Sequence, residues 1–537
     1  MLRGVLLAVL GLAAGLRSLE YFQGQPLWLD EAMLGLNVGR YSFLALLGTL
    51  QHGQSAPPLF LWAIEAATRI GGMSEYALRF VPFLAGLLLP WIIWRAARQL
   101  AGAEAALIAT ALAAVSVLLL RYSTEVKPYG TDALVSIALV LVALRIRAEP
   151  DRAARWWQLL GAGVAGMAFS FSAIFVLAGC LASLLADASI RGNKARLRRL
   201  ILLGGGLAGG FAALYLIFYL PHAGKSFMLS YWRGTFLDLG APDLSRRLYG
   251  LARSLSQQFP TLPDQLQVRA QSAAIVLGGL LMIRRCGLPA AAQVVVPFAA
   301  FVAGAVVTPY PIAERLQLFL APFAFIAVGV VIAEALRLVR MRPGLAAVAG
   351  VLLVLVWGAS PVFAYWRSPP VIGDSREPVR LISGAGDRDP VYVTTGGIAL
   401  WLFYSTNWTH PDTARLDHFA VSNSTYTGGA RIEVIGEPSG MQFVEPFGYA
   451  GQAPKPGWAA GEAARIAAVA RPSAWLFNTS GVRAGLDTLK AEFARRGIAV
   501  SEIRKGKLIV SPGNTCDNSN LSHRELSKSR ASPRLEL

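Results

Sequence analysis

The segment PLWLDEAMLGLNV places two carboxylates, Asp30 and Glu31, just beyond a first apolar run and among aromatic and aliphatic neighbours. Carboxylates held at such a boundary lose solvation, which raises their pKa and suits one of them to act as a general base. The alternative is structural: acids in the first turn of a helix through AMLGLNV would cap it and complement its dipole. A second cluster lies in RYSTEVKPYGTDAL, where Arg121, Glu125, Lys127, Tyr129 and Asp132 crowd between two apolar runs. Either an Arg–Glu or Lys–Asp network pins helix ends there, with the tyrosine in an aromatic belt, or the cations face an anionic headgroup and the acids orient them. In a third, TPYPIAERLQLFLAPF, Tyr310, Glu314 and Arg315 precede another apolar run that holds Pro322. A cation at a helix start opposes the macrodipole, so Arg315 requires a fixed anionic partner, either Glu314 or a lipid phosphate.

The elements that must position these groups are mostly apolar. Of 537 residues, 54% are hydrophobic and only 15% charged, well below the charge of soluble domains at about 25%. Runs such as FVPFLAGLLLPWIIW and DALVSIALVLVAL approach the roughly 20 residues that cross a bilayer as helix. Eleven spans are expected, at 3–19, 79–97, 104–120, 131–147, 156–170, 172–188, 200–220, 269–284, 288–307, 315–337 and 344–365. The first run follows Arg3 and could be read as a signal peptide, but no strong small-x-small cleavage site follows, so an uncleaved span is expected. Pro57 and Pro58 predict an extended entry into an amphipathic helix lying along the interface.

A net charge of +18 suggests nucleic acid at first sight, but the arginines fall largely in short clusters between apolar runs, which is a topology signal, and no nucleic-acid partner is expected. With the N-terminus inside, the clusters at 95–98, 145–155, 191–199, 284–285 and 337–342 all lie on the cytoplasmic side if 156–188 crosses twice, with a turn near Ser170 to Ser172. The three polar clusters then share the outer face. The loop at 221–268, with Lys225, Arg233, Arg246, Arg247 and Arg253, either faces headgroups or is a solvated surface. The transmembrane domain is expected over 1–365, an outer-face α/β domain over 366–515, and a disordered tail over 516–537. In the second domain DPVYVTT, ARIEVIG, SAWLFNTS and KGKLIVSP read as strands and AGLDTLKAEFARRG as a helix with a glycine stop. Cys180, Cys286 and Cys516 offer neither a metal-site spacing nor an obvious disulfide.

Taken together, the acidic pair after the first span, APPLF, SEYALRF entering the second span at Arg79, and AALIATALAAVSVLLLRYSTEVKPYGTDAL resemble the GT-C superfamily of membrane glycosyltransferases. The resembling branch is the protein-mannosyltransferase-like one, which includes family 39 enzymes, aminoarabinose transferases and RgtA-type lipopolysaccharide glycosyltransferases. The likeness covers about 20–145, and PYPIAERLQLFLAP fits it more loosely. It implies a polytopic α-helical fold and an inverting transfer of a sugar from a polyprenyl-phosphate carrier to a lipid, glycan or protein acceptor, on the outer face of the cytoplasmic membrane. Asp30 would be the base with Glu31 beside it. Arg121, Lys127 and Arg315 would face the donor phosphate, and Arg79, Glu125, Tyr129 and Asp132 would support them.

A polyprenyl phosphate is a tolerable leaving group, so no cofactor is expected as a requirement, and a divalent metal is optional with Glu31 and His52 as the candidate ligands. Relatives often carry His or Asp near the Pro pair, whereas Ser55 and Ala56 precede it here, which weighs against His52 as a site residue. A transporter or flippase of lipid-linked saccharide is the competing class. It would place charges within spans and show repeated halves, whereas here the charges sit at span ends and the halves do not resemble each other. A non-catalytic scaffold of the same fold is the remaining alternative.

Overall fold

The computed structural model describes residues 1–220, 232, 235–240, 242–259, 265–307, 310–367, 375–384, 391–394, 397–409, 411, 426–428, 430–435, 441–444, 448–451, 460–461, 463–464, 474–477, 490–504 and 507–512. Lys225, Arg233, Cys516 and the expected tail at 516–537 lie outside them. The chain divides into two compact units. The first is Met1–Asp374 with two short later segments, and the second takes the remaining residues.

The first unit is helical. Among the described residues nine helices are long and apolar enough to cross a membrane. The path begins with α1 (Leu2–Phe22), then α2 (Leu29–Arg40), α3 (Pro58–Gly71), α4 (Glu75–Val115), α5 (Val117–Arg121) and α6 (Tyr129–Ala148). It continues with α7 (Ala153–Phe169), α8 (Ala173–Ile190), α9 (Lys194–Leu214), α10 (Leu244–Ser256), α11 (Gln265–Cys286) and α12 (Leu288–Val307). A 3-10 turn at Glu314–Leu320 leads into α13 (Ala321–Leu338), and α14 (Pro343–Arg367) closes the unit. An apolar 18-residue window within 314–338 is 83% buried and the corresponding window within 194–218 only 17%, so the former is a central span and the latter a peripheral one.

Spans 79–97 and 104–120, read as separate, share the long helix α4. Ser74 caps it by accepting from Ala77 N at 3.2 Å, and Gly102 breaks it at φ 87°, a conformation that glycine adopts without steric cost. A second break, at Ser116, was not expected. There the chain turns extended (φ −69°, ψ 113°), and α5 restarts with Ser116 as its cap. The carbonyls freed by the break are met from α1. Arg17, fully buried, donates through Nη2 to Ala113 O at 2.9 Å and through Nη1 to Ala114 O at 3.5 Å. Ser116 Oγ donates to Gln258 O at 2.8 Å. α7 and α8 are separate helices joined at Ser170–Ser172, as the charge pattern required. α3 starts at Pro58, after an extended Pro57 (ψ 141°).

The second unit holds α15 (Arg376–Gly384), α16 (Ile398–Ser405) and a six-stranded mixed sheet. Its strands are β1 (Val391–Thr394), β2 (Tyr426–Gly428), β3 (Ala430–Ile435), β4 (Ala474–Phe477), β5 (Ile498–Arg504) and β6 (Lys507–Pro512), in the order β2-β3-β1-β4-β6-β5. β1 runs parallel to β3 and β4, while β6 is antiparallel to β4 and β5. The four strand segments expected from sequence coincide with β1, β3, β4 and β6. Only the end of the expected helix is described, through residue 495, with Gly497 after it at φ 71°.

Candidate active site

α2 begins immediately after Trp28, so Asp30 and Glu31 fall in its first turn and point in different directions. Glu31 is fully buried and accepts four hydrogen bonds. Arg79 on α4 donates Nε to Oε1 (2.9 Å) and Nη2 to Oε2 (2.6 Å), Val126 N donates to Oε1 (2.8 Å), and Trp28 N to Oε2 (3.2 Å). Arg79 also donates to the carbonyls of Gln25 (2.5 Å) and Pro26 (3.1 Å). One buried ion pair therefore fastens α2, α4, the 25–28 segment and the 122–128 loop together, with its lone pairs and donors occupied as a buried pair requires.

Asp30 is different. Its Oδ2 lies 3.9 Å from Lys127 Nζ and 3.7 Å from Arg315 Nη1, within ion-pair reach but beyond hydrogen-bond length, and 29% of its side chain is exposed. The three groups come from three distant segments. Lys127 is buried and donates to Gln54 Oε1 at 2.7 Å. Burial pushes its ammonium below the ordinary value, against the pull of Asp30. Gln54 is carried by a loop that Asn37 holds on α2: Asn37 Oδ1 accepts from Gln51 N (2.7 Å) and its Nδ2 donates to Gln51 O (3.2 Å). Arg315 sits over the rings of Tyr129 (5.8 Å) and Trp232 (5.4 Å). The anionic partner that Arg315 requires is thus Asp30, not its neighbour Glu314.

Arg121 pairs with Glu125 at 2.5 Å and lies over Tyr122. Burial raises the Glu125 carboxyl to about 7, with Arg121 opposing the shift and the nearby Glu31 adding to it. The expected Arg–Glu network is therefore present, but Lys127 reaches back to Asp30 and not to Asp132. Asp132 is hydrogen-bonded to Ser170, whose hydroxyl is 3.0 Å from that of Ser172 in the α7–α8 turn. Tyr129 packs edge-on against Tyr122, and a Cβ at Gly130 would come within 2.5 Å of Tyr122 O, so this tight approach needs glycine.

His52 is buried in the left-handed region (φ 57°), and burial together with the Arg40 charge lowers its pKa to about 4. Among the described residues no three His, Cys, Asp or Glu side chains group as metal ligands. Glu31, the other candidate ligand, has both oxygens occupied by donors, so the residues present do not fit a metal at that pair.

Beside Asp30 opens a cleft of about 490 Å³, walled by Trp28, Tyr122 and Trp232 and carrying Arg121, Arg253, Glu314 and Arg315. Arg253 comes from α10, where Gly250, Arg253, Ser254 and Gln257 share one helical face on the cleft, while Leu244, Leu251 and Leu255 pack on the core. From sequence, Arg253 belongs to a charge run without distinction. The i, i+3, i+4, i+7 spacing of small and polar residues is the signal that sets it apart.

Residues 55–218 match the family model of dolichyl-phosphate-mannose-protein mannosyltransferases. No curated protein sequence matches the chain. ArnT from Cupriavidus metallidurans, in the apo state, superposes with a TM-score of 0.51 at 13% identity, over 95% of this chain and 98% of that one. The same protein bound to undecaprenyl phosphate gives equal values. The Archaeoglobus fulgidus oligosaccharyltransferase in its apo form is more distant, with a TM-score of 0.42 at 12% identity over 74% of this chain and 64% of its own.

Proposed function

We propose that this chain, a mannosyltransferase-like membrane glycosyltransferase of the GT-C superfamily, moves a sugar from a polyprenyl-phosphate carrier to an acceptor hydroxyl, with Asp30 as the general base. The observation that carries the reading is the placement of Asp30 Oδ2 between Lys127 and Arg315, at distances that hold charge without consuming hydrogen bonds. A dolichyl-phosphate sugar in the matched family's name, and undecaprenyl phosphate in a protein of the same fold, support a polyprenyl phosphate as the carrier.

The reaction asks for two things at one place. As the acceptor oxygen bonds to the anomeric carbon, its proton goes to the Asp30 carboxylate. The bond from that carbon to the phosphate oxygen breaks with its electron pair staying on the phosphate. Lys127 and Arg315 meet the charge that develops there, and Arg121 lines the same cleft. In the resting site the two cations are shared with Asp30. An arriving phosphate competes for them and leaves the carboxylate to the acceptor proton. Glu31 and Arg79 hold the frame and Glu125 restrains Arg121, so in this reading Glu31 positions the site and Asp30 does the chemistry.

The arginine clusters at the opposite ends of the spans, including the Glu104–Arg337–Glu334–Arg285 chain of ion pairs, support an outer-face site in the cytoplasmic membrane. The change from long helices to a mixed sheet after Arg367 supports a separate outer domain over 366–515. The acceptor is a lipid, glycan or protein bearing a hydroxyl.

The test is turnover of synthetic polyprenyl-phosphate hexoses by the reconstituted full chain. D30N is expected to lower it by about 10²–10⁴-fold, with thermal stability unchanged, whereas K127A and R315A weaken binding of farnesyl phosphate as well. A folded D30N protein that turns over normally would refute the assignment.

A further inference from the structure

Among the described residues, the cleft contains two charged side chains that form no ion pair. Arg121 is paired with Glu125, and Arg315 with Asp30. Among the described residues Arg253 and Glu314, which also line the cleft, form no ion pair and no side-chain hydrogen bond. The backbone of Glu314 is nevertheless firmly held. Its carbonyl accepts from Gln258 Nε2 at 3.1 Å, and the carbonyl of Gln258 in turn accepts from Ser116 Oγ at the break before α5. Glu314 also opens the 3-10 turn whose last four residues, Gln317 to Leu320, are buried. A half-buried carboxylate on a firmly held backbone, with no protein donor among the described residues, is open to donors from a ligand in the cleft.

The walls indicate what kind of ligand that is. Trp28, Tyr122 and Trp232 line the cleft, the Tyr122 ring lying under Arg121 and the Trp232 ring under Arg315, and Trp28 Nε1 is buried with no acceptor among the described residues. Aromatic faces beside a carboxylate suit a sugar ring, whose C–H face packs on the aromatics while its hydroxyls donate to the acid. The 490 Å³ of the cleft exceeds what a phosphate group alone would fill. A carboxylate also repels phosphate, so a cleft built only for the lipid phosphate gains nothing from Glu314.

We propose that Glu314 is a specificity-determining residue that accepts hydrogen bonds from hydroxyl groups of the sugar carried on the lipid phosphate. This rests on the polyprenyl-phosphate reading above. Arg315, the next residue, serves the charge of the phosphate, so adjacent residues of one turn divide the donor between them. A site that hydrogen-bonds a substrate hydroxyl discriminates strongly against ligands lacking it, because its own buried polar group is then left unpaired.

The experiment compares farnesyl phosphate with a panel of farnesyl-phosphate hexoses and pentoses, binding to the full-length protein in nanodiscs and read by tryptophan fluorescence. The wild type is expected to prefer at least one glycosylated probe over farnesyl phosphate by about tenfold or more. E314Q should lose that preference while binding farnesyl phosphate as well as, or more tightly than, the wild type. E314D should fall between the two. A preference that survives in E314Q, a wild type without any preference across the panel, or an E314Q protein that loses farnesyl phosphate to the same extent would each overturn the proposal. If the wild type binds neither farnesyl phosphate nor any of its glycosides, the polyprenyl-phosphate reading falls, and this proposal with it.

Discussion

Asp30 and Glu31 are adjacent acids with opposite fates, and the difference lies in their donors. Glu31 receives four hydrogen bonds and no solvent, while Asp30 receives two cations at 3.7 and 3.9 Å and keeps solvent access. The neighbouring Glu125 adds a pH dependence. Its carboxyl, at about 7 in the folded protein, lies above its ordinary value of 4.5, so the folded state holds this proton longer than the unfolded state does. The stability from this group is therefore present below pH 4.5 and is lost as pH rises through about 7. Ionised Glu125 also draws Arg121 into its ion pair and away from a ligand. Binding of a farnesyl phosphodiester, whose own charge does not change in this range, is expected to weaken between about pH 6 and 8, and E125Q should flatten that slope. Isothermal titration across the range would decide it, and a slope unchanged in E125Q would remove Glu125 from the explanation.

At the scale of elements, the site depends on helices that stop where an uninterrupted apolar pattern would continue. The break at Ser116 turns Arg121 out of the third span, and Arg17 from α1 stabilises it by meeting Ala113 O and Ala114 O. R17L leaves these carbonyls without a donor in an apolar interior and is expected to cost about 1–3 kcal/mol. R79A strands the buried Glu31 charge and should cost about 3–5 kcal/mol. Thermal unfolding in detergent should rank R79A below R17L and R17L below D30N, and an R79A protein as stable as the wild type would deny the Glu31 pair its fastening role. Neither the break at Ser116 nor its support by Arg17 was legible in sequence. AAVSVLLLRYS carries no proline or glycine at the turning point, and Arg17 at the end of an apolar run reads equally well as a flanking charge. The α7–α8 turn was legible because charge placement on both sides demanded an extra crossing.

At the scale of the molecule, the spans bring three distant segments to one end of the helical unit. A sidedness test comes from the charge pattern. In a background lacking Cys180, Cys286 and Cys516, an impermeant maleimide applied to intact cells should label L44C, whose native residue is 77% exposed in the segment between α2 and α3, and should leave K194C unlabelled. The reverse result would invert the topology. By itself the sequence determined the solvent and the class of fold, because a bilayer demands long uncharged helices and sorts arginines to one side, and both leave marks that are local in the chain. It also marked Asp30, Lys127 and Arg315, since charges at span ends are conspicuous against an apolar background. It left open which acid pairs with which cation, the role of Gln54 and Asn37 in setting Lys127, and the place of Arg253 and Glu314 in the cleft. Only the tertiary structure decided these, because pairing between charges depends on distances across segments far apart in the chain, and nothing in the local pattern of a helix encodes them.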